Sequence, residues 1–195
     1  MAVILELFES FADFFSDSDA EKFPDVRAVV PVGRNDRALE AKRELIDALV
    51  ETLNALVQRR SCIYIPTPGM HECMFYSNLG SSAQDRSNMR AVVENLVSRF
   101  MCSDAVFLMA LIYMNRLERS NRYLLVNKFN VLRLFTASVI VACKFAEDEI
   151  YRNSYYAEVS GLDLRLLNHL ERTVLNELEF RMYVDATEYL AIAMV

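Results

Sequence analysis

Two charged side chains, Lys144 and Glu171, each interrupt an otherwise apolar helical pattern. Lys144 is the only charge in the twelve residues 135–146. Glu171 falls inside the apolar stripe of a predicted helix over residues 164–179. A buried carboxylate is costly unless it is paired and hydrogen-bonded. The sequence therefore predicts that Glu171 has either a basic partner or an external polar ligand.

Both positions also have an ordinary structural explanation. Lys144 can form a local helix salt bridge with Asp148, four residues further on, which is a common surface feature. Glu171 can belong to an internal ion pair. If Lys144 and Glu171 met across two helices at a surface groove, both positions would be explained together.

Other combinations of reactive residues give weaker signals. His71, Cys73 and Cys62 lack the paired Cys-x-x-Cys spacing of a zinc site. Cys143 and His169 could pair as nucleophile and base, but a cysteine within an apolar helix suits a core thiol better. The chain shows no phosphate-binding glycine loop and no catalytic carboxylate pair. We therefore expect neither an enzyme nor a metal or other cofactor, and no small-molecule substrate.

The charge distribution restricts the partners of the chain. Its net charge is -6, and residues 1–30 alone carry seven acids and two bases. The remainder is nearly neutral and lacks the basic stripe expected of a nucleic-acid binder. No apolar run approaches the ~20 residues that span a bilayer. The unpaired spacing of the four cysteines fits reduced thiols in a cytoplasmic or nuclear protein.

The elements that position these residues are predicted to be helices throughout. Only four glycines and four prolines occur in 195 residues, and all four prolines precede residue 69. An all-β fold requires many more turns. Helical periodicity predicts an acidic amphipathic helix over 1–15, a linker over 16–37, a helix over 38–60 and an irregular connection over 61–84. Five helices follow, over 85–101, 104–117, 128–146, 153–160 and 164–179, and a last one begins at 185.

Individual residues indicate how these helices begin, end and pack. Asn127 and Asp163 are predicted N-caps, and Gly161 is a predicted C-terminal stop. The helix over 104–117 is apolar on every side, which predicts that it lies at the centre of a bundle.

Several segments, in order, resemble a known family. Residues 110–116 are similar to the second helix of a cyclin box, and residues 130–135 and 142–148 look like its third helix. Residues 153–162 and 167–171, then Leu175 and 178–180, continue the same order. The pattern resembles the P/U-type cyclins, which include the yeast phosphate-pathway cyclins and protist relatives. The resemblance covers about residues 85–185.

The resemblance implies a single five-helix cyclin box over 85–185, an N-terminal helix and connection over 38–84, and an acidic extension over 1–37. It also implies a regulatory subunit that binds and activates a cyclin-dependent protein kinase, in cell-cycle control or nutrient (phosphate) signalling. Lys144 and Glu171 match the lysine and glutamate with which cyclins contact the kinase's αC helix. Asp148 is expected to face the activation segment. A non-activating helical adaptor, which uses the same groove for a protein or peptide, is the first alternative. A helical bundle that binds a small molecule or a metal is a third hypothesis.

A second region resembles the substrate-docking patch of mitotic cyclins. Met89, Arg90 and Val93 match its start. Leu96 stands where those cyclins have a tryptophan, and Asn115 stands where they have the aspartate that pairs with the patch arginine. We therefore expect Met89 and Val93 to belong to the core. Because the chain ends where a second cyclin box would begin, we expect a single box.

Overall fold

The computed structural model describes residues 35–61, 75, 84–121 and 124–188, which form an all-α fold. Its six helices are α1 (Asn35–Ser61), α2 (Gln84–Arg99), α3 (Asp104–Ser120), α4 (Val131–Ala146), α5 (Asn153–Ser160) and α6 (Leu164–Glu177). Residues 186–188 begin a further helical turn. The predicted fold class, five helices preceded by an N-terminal helix, is confirmed.

Four predicted segments lie wholly or largely outside the described residues. They are the acidic helix over 1–15, most of the linker over 16–37, most of the connection over 61–84 and the last helix beyond residue 188. Among the described helices, none is both long enough and apolar enough to cross a membrane.

The centre of the bundle is shared by α3 and α4. Residues 106–114 of α3 and 134–143 of α4 are buried without interruption. α4 packs against α2, α3 and α6, whereas α5 joins α2 to α6. An uninterrupted apolar surface is stable only when neighbours cover it on every side. The expectation that the second box helix lies at the centre is confirmed, and α4 joins it there.

α1 packs against α2 and begins earlier than its periodicity predicts. Leu45, Ile46, Leu49 and Leu53 are buried in the common core, whereas residues 39–44 are exposed. The helix starts at Asn35 rather than at residue 38. Neither glycine nor proline interrupts residues 34–37, so the first turn continues into the predicted linker.

The start of α4 differs from the prediction. The helix begins at Val131 with Asn130 in the cap position, so Asn127 is not its N-cap. The Asn127 side-chain oxygen instead accepts a hydrogen bond from the Phe129 amide, and that of Asn130 accepts one from the Asn127 amide. Asparagine favours such local turns over a helical first turn. These bonds hold residues 128–130 in a turn that delays the helix.

The connection from α5 to α6 forms as predicted and sets the direction of α6. Gly161 ends α5 with φ 68°, a left-handed conformation that glycine adopts without steric cost. The Asp163 carboxylate then caps α6 by accepting hydrogen bonds from the amides of Arg165 and Leu166. This short turn lays α6 against α4, with Glu171 facing the last turn of α4.

Candidate functional site

Lys144 and Glu171 form an ion pair between α4 and α6. The Lys144 Nζ lies 2.5 Å from the Glu171 Oε1. The two side chains keep 25% and 14% of their surface exposed, respectively, so the pair is half-buried at the molecular surface. Lys144 stands in the last turn of α4, where a cation interacts favourably with the helix dipole. The structure therefore gives Glu171 a basic partner, which is one of the two alternatives that the sequence predicts.

Two asparagines complete this site from α5 and α6. The Asn153 amide nitrogen donates hydrogen bonds to the Glu171 Oε2 at 2.6 Å and to the Asn168 Oδ1 at 2.7 Å. Both carboxylate oxygens of Glu171 are therefore engaged, one by Lys144 and one by Asn153. We call Lys144, Glu171, Asn153 and Asn168 the polar centre.

Sequence reasoning missed Asn153 and Asn168. Asn168 precedes Glu171 by one helical turn, which places both side chains on the same face. Nothing in the local sequence around Asn153 indicates that it reaches across to α6. The contact arises from the packing of α5 on α6.

The polar centre retains capacity for an external ligand. An ammonium group carries three N–H donors, and Glu171 takes one of those of Lys144. Each carboxylate oxygen of Glu171 has two lone pairs, and its protein contacts use one on each side. This combination of donor and acceptor, fixed by neighbours and open to solvent, suits recognition of main-chain amide and carbonyl groups.

Asp148 does not form the local helix salt bridge with Lys144. α4 ends at Ala146, so Asp148 lies in an exposed bend and not one turn above Lys144. Glu147 turns the other way, because its carboxylate accepts hydrogen bonds from the Ser103 amide and hydroxyl at 2.8 and 2.7 Å. These bonds tie the end of α4 to the start of α3 and leave Asp148 on the surface.

An exposed aromatic groove lies beside the polar centre. Phe145, Phe180 and Tyr183 are 50%, 66% and 68% exposed, although each carries a large ring. With Arg116 and Met182, among others, they line a groove of about 840 Å³. Phe145 directly follows Lys144, so the groove and the polar centre share the end of α4. Sequence reasoning also missed this groove. Whether these aromatic side chains are exposed depends on where α4 and α6 end and on how the chain turns after α6.

The region of Met89, Arg90 and Val93 on α2 is built differently. Met89 and Val93 are buried in the core, as is Leu96. Only Arg90 reaches the surface, where its guanidinium pairs with Asp47 at 2.6 Å and Glu94 at 2.8 Å. The expectation that Met89 and Val93 are core residues is confirmed. No exposed apolar pocket adjoins Arg90 through these two side chains.

The structure does not support the other combinations of reactive residues. Cys143 is buried, and its hydrogen bond with Cys102, together with burial, raises the pKa of its thiol, so the thiolate nucleophile is disfavoured. His169 is exposed on α6. His71, Cys73 and Cys62 lie outside the described residues. Within the part of the chain that is described, no three His, Cys, Asp or Glu side chains are grouped to hold a metal ion.

Comparison with known proteins agrees with this architecture. The cyclin family model matches residues 44–182, which is more than half of the chain and includes Lys144 and Glu171. Cyclin-U4-3 from Arabidopsis thaliana is 27% identical over 155 residues, which cover 80% of this chain and 69% of that protein. Cyclin-P4-1 from Oryza sativa subsp. japonica is 27% identical over 156 residues, covering 80% and 74%.

A further relative is more similar over a shorter stretch. Cyclin-P3-1 from Oryza sativa subsp. japonica is 37% identical over 107 residues, which cover 54% of this chain and 44% of that protein. The chain thus spans under half the length of this relative. The resemblance to P- and U-type cyclins is confirmed, and the chain belongs to the cyclin family, whose members are non-catalytic regulatory subunits.

Proposed function

We propose that this chain binds and activates a cyclin-dependent protein kinase through the polar centre and the adjoining aromatic groove. The observation that carries the proposal is the half-buried Lys144–Glu171 pair, supported by Asn153 and open to solvent on one side. A charge pair of this kind is desolvated further when a partner covers it, so its geometry matters for binding. Family membership supports a kinase as that partner.

Activation follows from selective binding to one kinase conformation. Phosphoryl transfer in a protein kinase requires the αC glutamate to meet the β3 lysine. A surface that fits only the inward αC position shifts the kinase toward that state. Moving such an equilibrium from 1:99 to 99:1 requires about a 10⁴-fold preference for the active state. Lys144 and Glu171 would hydrogen-bond main-chain groups at αC, and the exposed Asp148 would face the activation segment.

The test is reconstitution of this chain with cyclin-dependent kinases from its native cells. We expect one of them to co-purify with the wild-type chain and to gain activity. Glu171→Ala leaves Lys144 without its partner at the interface, where such a loss typically costs ~2–5 kcal/mol of binding. We therefore expect Glu171→Ala to lose kinase co-purification while circular dichroism still reports a helical protein.

Glu158→Ala is the matched control, because Glu158 is an exposed carboxylate on α5 outside the polar centre. It should bind like the wild type. Retained binding and activation by Glu171→Ala would contradict the proposal. Binding without activation would instead support the non-activating adaptor. Mass spectrometry of the proteins bound in native cells identifies the kinase and separates cell-cycle control from nutrient (phosphate) signalling.

A further inference from the structure

The end of α6 adopts a turn that is unfavourable for its own residues. The Glu179 amide donates to the Asn176 carbonyl at 2.9 Å, and the Phe180 amide donates to the Leu175 carbonyl at 3.0 Å. This pair of bonds closes a helix in the Schellman pattern, which usually places glycine in the left-handed position. Here Glu179 has φ 51° and Phe180 has φ 58°. Residues with a Cβ are disfavoured in this region, so other contacts must maintain the turn.

Two side chains of α3 supply those contacts. The Arg116 guanidinium donates to the carbonyls of Arg181 at 2.6 Å and Tyr183 at 2.7 Å. Between them, the Tyr113 hydroxyl donates to the Met182 carbonyl at 2.6 Å. Three consecutive carbonyls are thus fixed to α3.

Both donors are themselves held firmly. Tyr113 is fully buried, and burial raises the pKa of its hydroxyl, which therefore remains a protonated donor. Arg116 forms a two-point ion pair with Glu188, which lies in the helical turn over residues 186–188. The Arg116 Nε lies 2.7 Å from the Glu188 Oε1. A planar guanidinium can serve a carboxylate and two carbonyls together, which a lysine ammonium cannot reproduce.

The turn positions the exposed aromatic side chains of the groove. Phe180 and Tyr183 flank the buried Met182, and they face the groove together with Phe145 from α4. The three rings are grouped in one groove, and contiguous exposed apolar surface of this kind marks interaction sites more often than singly exposed side chains do. Aromatic anchors of this kind dominate binding energy at protein interfaces. Phe145, which lines the groove, directly follows Lys144 of the polar centre in the last turn of α4.

We propose that Arg116 and Tyr113 are positioning residues that hold residues 179–183 so that Phe180 and Tyr183 anchor the kinase bound at the polar centre. This inference rests on the proposed function and assigns the partner's second contact area. Arg116 lines the same groove, and its positioning role is exerted through the hydrogen bonds to the Arg181 and Tyr183 carbonyls.

A double-mutant cycle tests this inference with the full chain and the co-purified kinase. We expect Phe180→Ala and Arg116→Gln each to weaken binding by about tenfold, the size of a single anchor's contribution. The double variant should bind no more weakly than either single variant, because both remove the same contact. Arg119→Gln, which removes an exposed arginine from the last turn of α3, is the matched control and should bind normally.

A rescue experiment separates positioning from a general loss of stability. Glycine at position 179 allows the left-handed turn without strain, so Glu179→Gly should restore much of the affinity lost by Arg116→Gln. In the free chain, Arg116→Gln should also speed hydrogen exchange of the Phe180 and Met182 amides.

Each outcome has a defined meaning. Wild-type-like affinity of Arg116→Gln, additive effects in the cycle, or failure of rescue would overturn the positioning role alone. A wild-type chain that binds no kinase would overturn the proposed function and, with it, the assignment of this turn to kinase binding.

Discussion

The polar centre on α4 and α6 and the Arg90 region on α2 both place a charge beside apolar helical residues, yet they are built in opposite ways. In the polar centre, the Lys144 and Glu171 side chains keep only 25% and 14% of their surface exposed. At Arg90, the arginine and its partner Asp47 keep 46% and 61% exposed. The first pair is half-buried with neighbours on three helices, whereas the second is a surface pair above a closed core.

The difference in burial predicts different roles for these two similar sequence patterns. Exposed ion pairs contribute little, because water and salt screen them. The free-energy contribution of a half-buried pair depends on its geometry, and this dependence increases when a partner covers the pair. In the Arg90 region, Met89 and Val93 are buried in the core and contribute no exposed apolar surface beside the charge. We therefore expect substitutions at the polar centre to change binding and substitutions on α2 to change stability.

The largest effect that would sharpen this comparison is on stability. Met89→Ala should lower the free energy of unfolding by about 2–5 kcal/mol, because it leaves a cavity between α2 and the bundle. Denaturant unfolding measures this change. The affinity of the folded protein for its kinase should stay unchanged, and a specific loss of kinase affinity in Met89→Ala would break the comparison.

An intermediate effect is expected at Asn153. Asn153→Ala removes the hydrogen bond to the Glu171 Oε2 and leaves the carboxylate free to rotate away from its binding geometry. One such bond to a charged group contributes about 1.5–3 kcal/mol, so kinase affinity should fall by roughly tenfold or more. Isothermal titration with the reconstituted kinase measures it. Ser154→Ala, at the next exposed position of α5, should have no effect, and equal losses in both variants would rule out a specific role for Asn153.

The smallest effect is expected at Arg90. Arg90→Ala removes two exposed salt bridges and should lower stability only slightly, with a smaller effect at high salt, because water and ions screen exposed pairs. Kinase affinity and kcat/KM for protein substrates should not change. A marked rise in substrate KM with Arg90→Ala would instead support a substrate-docking function for α2.

Much of the fold follows from local residue patterns. The scarcity of glycine and proline predicts helices, and Gly161 and Asp163 fix the end of α5 and the start of α6, because each acts on its own neighbouring backbone. The start of α4 was predicted wrongly, because three asparagine-mediated bonds from 125–130 compete with the first helical turn. Helical periodicity in the sequence does not reveal hydrogen bonds that compete with the first turn of a helix.

The sequence by itself determined an all-α chain in which Lys144 and Glu171 required an explanation, because charges inside apolar stripes are visible without coordinates. Only the tertiary structure decided that they pair with each other, that Asn153 supports the carboxylate, and that Arg116 and Tyr113 fix the turn carrying Phe180. These contacts join residues that are distant in the chain or on different helices. Helix packing sets their distances, and no local pattern along the chain encodes them.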